Sequence, residues 1–213
     1  MPVSLKGARK RTPSSQATVA QVVPRSQVLL IEGASGPVWR VRAGAFRLER
    51  RTPEGASVVQ IALAGDLLGV ESLCGQPYAC SAIALTDAWV EPDALLGQSR
   101  EAALGQGFCQ QQRQIYEMTL LRSGPVVGRL RHLLDLLARR ADGAAQPLER
   151  SALPVLKDIA QIVLSAPETV CRELNRLLPA RPRRPGRLVA VPWAAALVGS
   201  WGPQAPEGIA LAR

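Results

Sequence analysis

The chain has 213 residues, 47% hydrophobic and 20% charged, the balance of a soluble globular protein with material for one large or two modest cores. Its net charge of +9 is uneven: residues 1–25 carry five basic and no acidic side chains, residues 26–150 thirteen of each, and residues 151–213 eight basic and four acidic, so a polyanion is expected at the two ends. No apolar run reaches the roughly 18 to 20 residues that cross a bilayer and the amino end lacks the apolar core of a secretion signal, so no membrane partner is expected and the four scattered cysteines read as reduced thiols in a cytoplasm.

Residues 1–20 are basic, contain Pro and Ser, lack periodicity and read as a disordered arm. Residues 21–97 read as a β domain. Short apolar runs (Val28–Ile31, Val38–Val41, Ser57–Leu63, Ser81–Leu85, Ala88–Val90) alternate with turn clusters such as Gly33-Ala-Ser-Gly36-Pro37 and Pro53-Glu-Gly55. Phe46-Arg-Leu-Glu-Arg50 alternates apolar and polar, as a half-buried strand does. Seven or eight strands with a turn every 8 to 12 residues predict a small barrel or sandwich.

Residues 98–123 switch to helical spacing. Leu104, Phe108, Gln111, Ile115 and Met118 recur 4-3-4-3 apart, the seam of a short coiled coil and so a candidate dimer interface. Ser123-Gly-Pro125 ends that helix, and the next, VVGRLRHLLDLLARRA, places Val127, Leu130, Leu134 and Leu137 on one face. Ala141–Pro147 reads as a loop.

From Leu153 to Leu177 two short amphipathic segments face each other across a tight connection. Ile159, Ile162 and Val163 form one apolar face, and Val170, Leu174 and Leu177 the other. Ser165 is the expected N-cap of the second helix, with Glu168 completing a capping box and Pro167 in the first turn. Glu168, Thr169, Arg172 and Arg176 point outward, the pattern of a helix-turn-helix that reads DNA. Beyond Leu178, Pro179, Pro182 and Pro185 forbid a helix, Arg187–Val191 suits a strand of a small wing, and 193–213 read as a poorly defined tail.

The succession resembles the CRP/FNR family of bacterial transcription regulators, over roughly residues 22–192. The resemblance rests on Val38-Trp-Arg-Val-Arg-Ala-Gly44-Ala-Phe-Arg-Leu, on Leu63-Ala-Gly65-Asp66-Leu67-Leu68-Gly69, closest to the FNR-like branch, and on Asp158-Ile159 with Glu168-Thr169-Val170 and Arg172. It implies an α+β fold: an N-terminal double-stranded β-helix or jelly roll of the cyclic-nucleotide-binding type, a long dimerisation helix, and a C-terminal winged helix-turn-helix over 124–192. It further implies a homodimer on double-stranded DNA. Glu168, Arg172 and Thr169 would read bases, and Lys157, Arg176, Arg181, Arg183 and Arg184 would serve phosphates. An activator of this kind also needs a surface for RNA polymerase, which inspection does not locate.

Three departures bear on the resemblance. Leu164 stands where the family places a turn glycine, so either the turn is reshaped or the register is off by one. Pro167 replaces a base-reading arginine of some members. Cys171 replaces a serine of the FNR branch and reads as a space-filler rather than a contact.

The effector pocket would be lined by Gly69, Val70, Glu71, Ser72, Cys80 and Ser81. Cyclic-nucleotide members carry an arginine where Cys80 stands, and losing that bidentate clamp argues against cAMP. The clustered amino-terminal cysteines of the iron–sulfur branch are missing here, so no cofactor is expected. Cys74 and Cys80, with five residues between them, could form a redox pair, though incidental packing is the commoner meaning of such a pair. The lone His132 gives little support to haem. Gly69-Val70 faintly resembles the 2-oxoglutarate-sensing regulators of cyanobacteria, without the basic residues that would hold a dicarboxylate. With one histidine and no nucleophile–base grouping, an enzyme is the weakest reading. A dimeric sensor whose DNA-reading end has decayed is the stronger rival.

Overall fold

The computed structural model describes residues 19–93, 99–139, 144 and 148–178. The expected basic arm, the wing with Arg181, Arg183 and Arg184, and the tail therefore lie outside the described residues, apart from the last two positions of the arm.

Eight strands make two antiparallel four-stranded sheets: β1 (Gln21–Val23), β8 (Ala88–Pro92), β3 (Trp39–Ala43) and β6 (Leu67–Leu68) in one, and β2 (Val28–Leu30), β7 (Ser81–Ala84), β4 (Phe46–Thr52) and β5 (Gly55–Ala62) in the other. The two-residue period of the sequence is realised directly. In β3, Trp39 and Val41 are buried while Arg40 and Arg42 reach Asp93 at 2.8 Å and Glu91 at 2.7 Å. The corner between β3 and β4 turns at Gly44, with φ +82°, where a Cβ would stand 2.5 Å from the Asp87 carbonyl oxygen. Only glycine fits there.

Two apolar clusters follow. One fills the roll, with Val23, Leu30, Trp39, Val41, Phe46, Ala62 and Tyr78 among its members. The other joins Ala45, Val58, Ile61 and Leu85 of the roll to the helices α1 (Arg100–Arg122), α2 (Val126–Leu137), α3 (Leu156–Ile162) and α4 (Pro167–Leu177). Beneath α3, the outward side of β4 carries charge. Arg47 pairs with Asp158, and Glu49 lies 2.7 Å from Arg47 Nε in an ionic contact not aligned as a hydrogen bond. Arg25 donates to the Leu153 carbonyl at 2.9 Å, and Arg122 to that of Val58.

The helix breaks fall where the sequence puts them: α1 ends at Arg122 before Ser123, Gly124 and Pro125. Two expectations need correction. Met118 is 5% exposed and packs in its own protomer's core with Leu121, so it is not part of an exposed seam. The N-cap of α4 is Ala166, without a side-chain hydrogen bond, so Ser165 caps nothing there. Pro167 at the first helical position explains the shift, because its ring presets φ and lacks the N–H that a cap would satisfy.

Leu164 settles the question of register. It takes φ +46°, the left-handed conformation of the family's glycine, and is 60% exposed. The turn keeps its shape because Arg129 of α2 donates to the carbonyls of Val163 and, at 3.3 Å, Leu164. A left-handed non-glycine residue costs about 1–2 kcal/mol, and glycine's extra freedom in the unfolded chain costs roughly 0.5–1 kcal/mol. Leu164→Gly should therefore stabilise the protein by up to about 1.5 kcal/mol in urea unfolding. A less stable variant would show that the exposed side chain makes contacts that outweigh the strain.

Candidate nucleic-acid interface and effector cassette

In α4, Val170 and Leu174 are four residues apart and buried against α2 and α3. That choice leaves Glu168, Cys171, Arg172, Asn175 and Arg176 exposed on the opposite face, where with Leu156 and Pro167 they line a groove of about 730 Å³. Arg172 and Arg176 lie 3.6 and 3.0 Å from Glu173, which is largely covered, and both guanidinium groups remain mostly in solvent. Lys157 is exposed at the start of α3, and Thr169 is half-buried. Glu168 and Arg172 thus share one face, one turn apart. Cys171 is exposed on that face rather than filling space, and the Asn175 amide lies 3.9 Å from its sulfur.

Two arginines that the sequence reading did not single out hold this unit. Arg129 closes the turn, as described above. Arg150, in a short 3₁₀ turn (Arg150–Ala152), donates to the carbonyls of Leu174 at 3.0 Å and Leu178 at 2.9 Å and to Asn175 Oδ1 at 2.7 Å, which ties down the carboxyl end of α4. Both contacts are remote in sequence, and no local pattern announces them.

The cassette is shaped by a tyrosine ring set against two glycines. Gly69 has φ +71°, and a Cβ there would meet the Tyr78 ring at 2.4 Å; one on Gly36 would meet Tyr78 Oη at 2.3 Å. Tyr78 is 5% exposed, donates its hydroxyl to the Pro37 carbonyl at 2.7 Å, and has its phenol pushed up chiefly by burial. Ser81 accepts from the Glu32 N–H at 3.0 Å, and Ser72 donates to the Gly69 carbonyl at 2.8 Å. The Cys80 thiol is pushed up to about 11 by burial first, then by Glu71, against the opposing pull of Arg50 and with a further push from Glu32. A thiol at this position cannot make the two-pronged contact that an arginine fork makes with a phosphate.

Helix α1 grips the strand leading into the cassette. Gln110 donates to and accepts from the backbone of Leu67 at 2.8 and 2.7 Å. Arg113 reaches the buried Asp66 at 2.5 Å, and Gln114 reaches it at 3.3 Å. Gly107 lies so near Val70 that a Cβ would stand 2.8 Å from its Cγ1. On another side of α1, Phe108 is 63% and Ile115 50% exposed, with Gln111 exposed and Leu104 half-buried between roll and solvent. His132 is held 2.5 Å from Glu117, which also faces Arg139. Among the described residues no three His, Cys, Asp or Glu are grouped for a metal ion, and no helix is long and apolar enough to cross a membrane.

Residues 20–90 match the family model of the cyclic nucleotide-binding domain. The chain is similar in structure to a CRP-family transcriptional regulator of Thermus thermophilus, at 22% identity and TM-score 0.57 over 74% of this chain and 83% of that one. It is also similar to a CRP/FNR-family regulator of the same organism (24%, TM-score 0.50, 86% and 100%) and to FixK2 of Bradyrhizobium japonicum (21%, TM-score 0.52, 76% and 84%). At these identities the likeness establishes the fold. No curated protein matches the chain.

The cassette chemistry is open to a direct check. A thiol at about 11 holds on the order of a hundredfold less thiolate at pH 8 than an ordinary cysteine of pKa about 8.5. Brief iodoacetamide treatment of the folded protein at pH 8 should label the exposed Cys74, Cys109 and Cys171 and spare Cys80, as read by peptide mass spectrometry. Labelling of Cys80 as fast as Cys74 would show an open, reactive cassette instead.

Proposed function

We infer that this CRP/FNR-like chain is a transcription regulator that binds a near-palindromic DNA site as a homodimer, with α4 lying in the major groove. The carrying observation is the exposed face of α4, on which Glu168 and Arg172 stand one turn apart while Arg129 and Arg150 hold the two ends of the reading unit. An arginine fork takes guanine O6 and N7, and a carboxylate accepts from cytosine N4. Lys157 and Arg176 flank that face and suit phosphates, a role for which the basic stretch with Arg181, Arg183 and Arg184 is also proposed.

The dimer is proposed along α1 through Leu104, Phe108, Gln111 and Ile115. Large apolar side chains half or more exposed at seven-residue spacing on one helix need a partner. Two-fold symmetry would then place the two α4 helices on half-sites about one turn of DNA apart. The intact turn at Leu164 and the clamped carboxyl end of α4 support a working reading head over a decayed one.

The first test is selection of bound sequences from a random duplex pool, then comparison with Glu168→Ala and Arg172→Ala. Each substitution should cost about 1–3 kcal/mol of discrimination at one position of each half-site, leaving non-specific binding in place. Unchanged specificity in the double variant would remove both residues from the reading role. Separately, Ile115→Asp should give monomers by sedimentation and weaken site binding. An unaltered dimer mass would move the interface off this stripe.

A further inference from the structure

The groove along α4 contains one side chain whose orientation is fixed by a partner outside the helix. Asn175 lines it together with Glu168, Cys171 and Arg172. Its Oδ1 accepts from Arg150 Nη2 at 2.7 Å, and its amide nitrogen stands 3.9 Å from the sulfur of Cys171. The chemistry of the pair dictates this orientation. A guanidinium has donors only, so it must face the amide oxygen and never the NH₂. Arg150 is itself fixed by the Leu174 and Leu178 carbonyls at 3.0 and 2.9 Å, so it cannot follow Asn175 into an alternative rotamer without leaving both.

The consequence is an amide held in one orientation, with its oxygen toward Arg150 and its NH₂ on the other side. The thiol sulfur is a weak acceptor and uses at most one of the two N–H groups, so a donor is left over. Arg150 takes one of the two lone pairs of the oxygen, so it fixes the direction of the amide rather than exhausting its acceptor.

Resting on the DNA-binding reading above, we propose that Asn175 is a further DNA-contacting residue, positioned by Arg150 to donate to a hydrogen-bond acceptor of the duplex. The acceptor is a base edge (purine N7, guanine O6, thymine O4) or a phosphate oxygen; both present the same chemistry to the amide, and the measurements separate them.

The full-length protein is titrated by fluorescence anisotropy onto the duplex selected by the wild type and onto an unrelated duplex, across a salt series. Asn175→Ala should weaken binding to the selected duplex by about three- to tenfold, the effect of one hydrogen bond. Loss confined to the selected duplex, with one motif position relaxed, assigns a base edge. Equal loss on both duplexes with the salt slope unchanged assigns a phosphate, since a neutral amide releases no counterion. Asn175→Asp, which keeps an oxygen for Arg150 and removes the donor, should bind no better than the alanine variant.

The positioning role has its own readout. In Arg150→Met the amide is free to turn, so affinity for the selected duplex should fall toward that of Asn175→Ala and adding Asn175→Ala should cost little more, while Arg150→Lys, which restores a donor, should recover part of the loss. Wild-type affinity of Asn175→Ala for both duplexes would overturn the contact. The full Asn175→Ala loss persisting in the Arg150→Met background, in a variant that melts at the wild-type temperature, would overturn the positioning. If the wild-type protein binds no DNA at all, the docking itself falls and the contact with it, an outcome distinct from a silent Asn175.

Discussion

The apolar layer between the outer side of the β4–β5 sheet and the four helices carries the rest of the structure. Ala45, Val58, Ile61 and Leu85 of the roll meet Met118 and Leu121 of α1, Leu130, Leu133 and Leu136 of α2, and Ile159, Ile162, Val170 and Leu174 of the reading unit in one continuous cluster. Helices as short as α3, with seven residues, have no independent stability in water. They exist here because this layer buries their apolar faces, and which face is buried decides which residues of α4 are left to meet another molecule. A charged pair sits inside the same layer. Asp158, 4% exposed, pairs with Arg47 of β4, and its second oxygen is buried without a protein partner. Desolvating two charges recovers little net stability. Its effect is on alternatives: a slide or rotation of α3 on the roll would strand either charge away from water, so the pair fixes one docking where apolar packing alone would tolerate several.

One helix connects the three regions on which the proposed function depends. Gln110, Arg113 and Gln114 hold the loop at Asp66 and Leu67, Met118 and Leu121 enter the shared core, and Phe108 and Ile115 face solvent. At 3.6 residues per turn, 23 residues supply enough positions for all three faces. A rigid-body movement of α1 would therefore be felt at the cassette, the core and the exposed stripe together.

Much of this was legible because it is periodic. Alternation exposed the longer strands, and the i, i+3, i+4 spacing of Ile159, Ile162 and Val163 and of Val170 and Leu174 exposed the two facing helices. What escaped has physical reasons. β6 has two residues and β1 has three, too few to display a period. Met118 satisfies the heptad spacing, but spacing cannot say whether an apolar face is claimed by the same chain or by a second copy. The N-cap moved from Ser165 to Ala166 because Pro167 outweighs a hydroxyl at a helix start. Arg129, Arg150 and Arg47 act across 34, 24 or more residues, so their roles exist only once the fold has brought their acceptors near. The conflict at Leu164 was the most informative signal: a residue unsuited to its turn, kept there by a clamp from another helix.

The cassette is framed by backbone geometry and by the chain's own polar contacts. An effector shifts a conformational equilibrium only by its differential affinity for the two states. The backbone elements that would shape a ligand site persist in Gly69, Ser72 and Ser81, but each hydroxyl is engaged with the chain's own backbone. The phenol of Tyr78 packs where side chains on Gly36 and Gly69 would otherwise project. Burial first and then Glu71 push the Cys80 thiol up, with Arg50 pulling the other way and Glu32 adding to the rise, so Cys80 brings no positive charge to the position. The loop's attachment to α1 is meanwhile satisfied by Asp66, Gln110 and Arg113 of the same chain. The exposed faces of α1 and α4 offer large apolar and cationic side chains through which a partner could act on this connection.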